Sequence, residues 1–230
     1  MNDHTVYTVD LLGCGRSDKS SITYTNFVYV QMISDFIKKI IGQKTDVIAS
    51  GFSGSFVTMA CHNEKELFNK IMLVNPPSLT QLKQMPNRKD RLLKAALEIP
   101  IFGTLVYHMI VSRDNINNLF IEKMYYNPFH VDNQMADAYY EAAHKGGYYT
   151  RFLYSSLAAK YININICHAL KALDNSIYIV EGETEPNGKA VTDDYCASNP
   201  AIEVSVLKET KHLPHVEAPE AFLEQVKIFF

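Results

Sequence analysis

At 230 residues, 47% of them hydrophobic and 20% charged, the chain can build one globular domain with a sizeable core. A net charge of −3 and no Lys/Arg cluster argue against a nucleic-acid partner. Cys14, Cys61, Cys167 and Cys196 are scattered without a CxxC pair, which suits free thiols in a reducing compartment better than disulfides or a zinc site.

No basic-then-apolar leader precedes Asp10, so a cytoplasmic location is expected. Val6–Val9 reads as a short strand ending at Asp10, followed by the turn-rich segment Leu11–Asp18. From about Thr25, the residues Val28, Met32, Ile33, Phe36, Ile37, Ile40 and Ile41 recur at helical spacing up to Gly42. Asp46–Ala49 reads as a buried strand, the segment from Ser53 as a helix, and Ile71–Val74 as a strand stopped by Pro76-Pro77. From about Ser78 to Asp174 the pattern is helical, with breaks near Pro86, Pro100, Pro128 and Gly146-Gly147. Its longest apolar stretch, Ile101–Val111, carries His108 and falls short of the ~20 residues that span a bilayer, so no membrane partner is expected. Strand character returns at Ile177–Val180 and Ile202–Leu207, and Pro219 opens a last helix with Phe222, Val226 and Phe229 on its buried face.

This alternation predicts an α/β domain, a mostly parallel sheet with flanking helices, formed by residues 1–77 and 175–230. Residues 78–174 would be a helical cap over the C-terminal edge of the sheet, where open α/β sheets place their ligands.

Gly51-Phe52-Ser53-Gly54-Ser55 sits between a strand and a helix. A nucleophile there needs a tight turn flanked by small residues, and only a frame centred on Ser53 provides them, as Gly51 and Ser55. The Gly54 N–H, at the helix start, can donate to a developing oxyanion, and Phe52 is the candidate pocket wall. Alone this pattern is weak, because any close strand–helix turn needs small residues. The loop Lys211-His212-Leu213-Pro214-His215 follows the last strand, and an imidazole there suits general-base work, with His215 the competitor to His212. The loop after Ile177–Val180 supplies Glu181, Glu183 and Glu185 as candidates for the acid that orients the imidazole.

Together these segments resemble the α/β-hydrolase superfamily, in its cap-bearing branch of serine hydrolases. Asp10-Leu11-Leu12-Gly13-Cys14-Gly15-Arg16-Ser17-Asp18 is similar to the family's D-x-x-G-x-G-x-S-D loop, and Gly51–Ser55 to its nucleophile turn. Gly182-Glu183-Thr184-Glu185-Pro186 is similar to its G-E-x-D-P acid loop, and the run from His212 to Glu220 to its H-x-P-H-x-E-x-P-E ending. The resemblance implies Ser53 as nucleophile, His212 as base and Glu185 as acid, with glutamate where the family has aspartate. It also implies three strands ahead of the Asp10 loop, the third lying between the fourth and fifth and supplying a second oxyanion N–H. The sequence therefore reads as N-terminally truncated. A gap is expected between Val6–Val9 and Asp46–Ala49, with weakened folding and activity.

Gly13-Cys14-Gly15 lacks the third glycine of a dinucleotide loop, and the eight histidines include no HExxH, so neither a cofactor nor a metal is expected. The aromatic residues Phe102, Tyr107, Tyr139, Tyr140, Tyr148, Tyr149, Phe152 and Tyr154, with Met109, read as cap core before substrate box. The expected activity is hydrolysis of a small, fairly apolar carboxylic ester through an acyl-enzyme. The alternative is an impaired fragment or non-catalytic binding scaffold. A lyase or transferase using the same residues also fits, and the oligomeric state is open.

Overall fold

The computed structural model describes residues 4–230. Helix α1 (Asn26–Phe36) runs into a π-helical turn (Ile37–Ile41) that stops at Gly42, where φ is 72°. A residue with a β-carbon is strained in that left-handed conformation, so glycine is the natural terminator. Strand β1 (Thr45–Ser50), helix α2 (Phe52–Asn63) and strand β2 (Phe68–Val74) follow. Then come the inserted helices: α3 (Leu79–Leu82), α4 (Arg88–Glu98), α5 (Phe102–Ile110), α6 (Arg113–Leu119), α7 (Asn133–His144), α8 (Arg151–Ala158) and α9 (Cys167–Ala172). The chain returns through β3 (Ile177–Gly182), α10 (Gly188–Ser198) and β4 (Glu203–Leu207) to the short α11 (Pro214–Glu217) and the final α12 (Pro219–Phe229).

The strands form one sheet in the order β1-β2-β3-β4, and every neighbouring pair is parallel. Side chains alternate across it, as a period of two requires. Ile71, Leu73, Ile177 and Ile179 enter the main core with Tyr29, Phe56, Val57 and Ala60 of α1 and α2. Met72, Tyr178, Val180 and Leu207 enter a second cluster closed by Val226, Phe222 and Phe229 of α12. β2 and β3 are buried on both faces, which is why their sequences read as continuous apolar runs rather than alternating ones.

Between β2 and β3 the regular elements are all helical, but their packing is divided. Ile116, Phe120, Tyr125 and Ala136 form their own cluster together with Leu213 of the His212 loop. Ile162, Ile164, Ile166, Ala169 and Leu170, near the end of the insertion, instead belong to the main core beneath the sheet.

One expected strand is absent. Val6–Val9 takes no regular secondary structure and joins no sheet, and Val6 and Val9 are 73% and 41% exposed. A strand exists only through its partner. Here a cavity of about 950 Å³ lies between this segment and β1, lined by Val6, Val9, Ile33, Phe36, Val47 and Val226 among others. Among the described residues, β1 is therefore paired on one side only.

Candidate active site

The site candidates collect at the C-terminal ends of the strands. β1 passes into α2 through Gly51, which adopts φ 57° and ψ −133° and donates its N–H to the Val74 carbonyl at 2.9 Å. The positive φ therefore falls on Gly51, not on Ser53, which lies inside the first turn of α2. The Ser53 hydroxyl donates to the Ser50 carbonyl at 2.6 Å and faces the large cavity beside β1. The Gly54 N–H, expected as a free oxyanion donor, is buried and donates to the Gly51 carbonyl at 3.1 Å. The reason is local: at the start of a helix an N–H without an intrahelical partner takes the nearest carbonyl of the turn.

Strand β3 delivers the acidic loop, and the structure separates its three glutamates. Glu185 Oε1 lies 3.0 Å from His212 Nδ1. Glu183 is engaged elsewhere, its Oε2 accepting the Glu209 N–H at 3.0 Å. Glu181 points into a smaller pocket, of about 370 Å³, that also contains Phe52, Glu185 and His212. It is 5% exposed, and neither its Oε2 nor that of Glu185 has a hydrogen-bond partner among the described residues. Burial raises the Glu181 pKa above its ordinary 4.5, and the charge of Glu185 adds to the effect.

A carboxyl that holds its proton more tightly in the folded chain stabilises the fold fully below its unfolded pKa. That contribution is lost as pH rises through the raised value. Glu181→Gln, which cannot ionise, is expected to flatten this fall. Urea midpoints measured upward from about pH 4 would show it, and parallel curves for the two proteins would refute it.

The His212 loop is held by residues that the sequence reading did not single out. Asn75, at the end of β2, is buried and adopts φ 42°, a conformation asparagine tolerates. Its Nδ2 donates to the carbonyls of Lys211 (2.8 Å) and His212 (3.0 Å), and its Oδ1 accepts the Gly182 N–H at 3.0 Å. Gly182 closes the contact: a β-carbon there would stand 1.9 Å from the Lys211 carbonyl oxygen. Glu217 accepts from the Lys211 N–H (2.7 Å) and the Tyr126 N–H (2.6 Å), while the His212 N–H donates to Met124 (3.1 Å). The insertion thus shares in holding the loop. Glu217 had a sequence signal in the H-x-P-H-x-E run; Asn75 had only its place before Pro76-Pro77.

His215 packs near Phe222, and burial, followed by the proximity of His212, lowers its pKa. A neutral ring braced against the last helix fits a packing role. Ser53 and His212 make no hydrogen bond, and they face different cavities. Phe52 lines the cavity of His212. Among the described residues, no three His, Cys, Asp or Glu side chains converge as metal ligands.

A parallel sheet with helices on its faces, and a serine on a strand–turn–helix junction at its edge, match the architecture of α/β hydrolases. Residues 2–225 match the alpha/beta hydrolase family, and the chain belongs to it. No curated protein matches the sequence closely. Among solved structures, a serine hydrolase involved in carbazole degradation is similar with a TM-score of 0.75 at 15% identity, covering 96% of this chain and 76% of that one. The 2-hydroxy-6-oxo-6-phenylhexa-2,4-dienoate hydrolase of Rhodococcus sp. strain RHA1 gives 0.72 at 16%, covering 96% and 78%. A carboxylesterase of the thaumarchaeon Nitrososphaera gargenis gives 0.67 at 15%, covering 96% and 77%. At these identities the likeness shows the fold alone.

Proposed function

We propose that the protein is a serine hydrolase of the carboxylic-ester type, acting on a small, fairly apolar substrate through an acyl-enzyme. The observation that carries this reading is the Glu185–His212 contact of 3.0 Å, in a pocket shared with Gly51 and Phe52 of the Ser53 turn. A carboxylate can only accept, so Nδ1 carries the hydrogen and Nε2 keeps its lone pair. That is the tautomer a general base requires. The fold that the chain shares with the carboxylesterase is compatible with this chemistry.

In the proposed reaction the Ser53 hydroxyl leaves the Ser50 carbonyl, passes its proton to His212 Nε2, and its Oγ bonds to the ester carbonyl carbon. Glu185 stabilises the imidazolium that forms. The Gly54 N–H turns from the Gly51 carbonyl to the oxyanion. His212 returns the proton to the departing alkoxide. A water then repeats the sequence on the acyl-Ser53 ester and releases the acid. The inserted helices, through Met124 and Tyr126, would cap the site and hold the His212 loop.

The second reading, a non-catalytic scaffold, is favoured by one observation: the Ser53 hydroxyl and the Gly54 N–H are both engaged by their own turn. A fluorophosphonate probe separates the two, because it phosphonylates only an activated serine. One label per chain is expected by intact mass. It should be absent in Ser53→Ala and slowed about 10³-fold or more in His212→Ala. A folded sample that takes no label would decide for the scaffold.

A further inference from the structure

The α4–α5 corner projects apolar side chains that nothing in the fold covers. Ile101, Leu105 and Met109 are 86%, 61% and 64% exposed, and Ile99 and Phe102 are about half exposed. Phe102, Leu105 and Met109 stand at i, i+3 and i+7 and form one stripe of α5, whereas Gly103 and Tyr107 on the opposite side are buried. Scattered apolar residues on a surface are ordinary, but a contiguous stripe marks an interaction site.

The corner is rigidly built. α4 and α5 meet at a bend of 98°. A β-carbon on Gly103 would lie 1.8 Å from the Leu97 carbonyl oxygen, so the two helices touch backbone to backbone. The buried Arg151 guanidinium donates to the Glu98 carbonyl (3.3 Å), the Thr104 hydroxyl (3.2 Å) and the Tyr148 carbonyl (2.5 Å), pinning both arms. At the apex Ile101 is held at φ 68°, a strained conformation for a β-branched residue, and its side chain is directed into solvent. The fold therefore holds an apolar tip outward at some cost and gains no packing from it.

Charge indicates what the tip meets. The chain carries a net charge of −3, yet the first turn of α4 presents Arg88, Lys89 and Arg91, while Lys94 is paired with Glu98, Asp90 with Lys160 and Arg113 with Asp137. Arg88, Lys89 and Arg91 are exposed, and from Ile99 to Ser112 there is no charged residue. An apolar stripe on one arm and a cationic turn on the other complement an anionic bilayer surface, with side chains entering the acyl boundary and cations meeting lipid phosphates. Among the described residues no single helix is long and apolar enough to cross a membrane, and surface seating requires none.

We propose that the α4–α5 corner is a lipid-docking element that seats the protein on anionic membrane surfaces through Phe102, Leu105 and Met109, steered by Arg88, Lys89 and Arg91. This is independent of the assignment of Ser53. The full chain would be co-sedimented with phosphatidylcholine vesicles, with and without about one-third phosphatidylglycerol. Wild type should partition onto the anionic vesicles, and binding should weaken as salt is raised. The triple variant Phe102→Ser, Leu105→Ser, Met109→Ser should bind at least ~10-fold more weakly, and so should Arg88→Gln, Lys89→Gln, Arg91→Gln. Thermal melts should be nearly unchanged, because these side chains are exposed; Leu105→Glu alone serves as a second variant if the triple is unstable. Wild type that stays with the supernatant, or a triple variant that sediments like wild type, would overturn the proposal. Light scattering that shows a wild-type dimer converted to monomer by the triple variant would also overturn it, assigning the stripe to a second copy.

Discussion

Replacing Glu185 by glutamine is expected to lower the turnover of an ester substrate about 10³–10⁴-fold, the effect of losing the carboxylate behind a catalytic imidazole. Glu185 is the one described partner of His212 Nδ1. If the glutamine amide presents its NH₂, the ring must place its hydrogen on Nε2 and the base is lost. If it presents its oxygen, the tautomer survives but the developing imidazolium has no counter-charge. Glu185→Asp tests reach. The present contact of 3.0 Å is already an ordinary hydrogen bond, and a side chain shorter by about 1.5 Å falls out of range unless the loop moves. Glu185→Asp should therefore lie between wild type and the glutamine variant. Glu183→Gln is the control, because Glu183 accepts from Glu209 rather than from His212, and it should leave turnover nearly unchanged. Steady-state kinetics with a chromogenic short-chain ester would decide. Near-wild-type turnover in Glu185→Gln would remove Glu185 from the mechanism.

The separation of these glutamates shows what the sequence could and could not carry. β2 and β3 were legible because burial on both faces leaves apolar runs that no surface element tolerates. The breaks at Pro86, Pro100, Pro128 and Gly146-Gly147 each fall between helices or at a 3₁₀ turn, since backbone chemistry alone decides them. Val6–Val9 was misread because its composition favours a strand, while the partner that would make it one is a matter of tertiary arrangement. The residues of the Ser53 turn were likewise identifiable, but not the direction of two hydrogens. The Ser53 hydroxyl and the Gly54 N–H bond within the turn, and spacing says nothing about that choice. Glu185 could be separated from Glu183 only through the family pattern, because both are loop carboxylates within two residues of each other.

Asn75 lay furthest from view, and its replacement should have the largest effect on the fold of any substitution near the site. Its side chain ties the end of β2 to Gly182 of β3 and to both carbonyls that flank His212. Asn75→Gly keeps the positive φ available, so it isolates the side-chain bonds from backbone strain. Removing three partners from groups that water reaches poorly should cost about 3 kcal/mol or more, against a total stability of about 5–15 kcal/mol for a typical domain. Fluorophosphonate labelling should slow about 10–100-fold, because a catalytic ring displaced by an ångström loses that much. Asn75→Ala should be worse than Asn75→Gly, since alanine adds strain at φ 42°. Asn75→Asp is the sharpest test. It matches asparagine in shape and can still accept from Gly182, but it sets an acceptor oxygen against the carbonyls of Lys211 and His212. It should therefore lose at least as much as Asn75→Gly in both urea stability and labelling rate. If Asn75→Asp behaves like wild type, the His212 loop is held by Glu217 and Met124 alone, and shape rather than donation explains the asparagine.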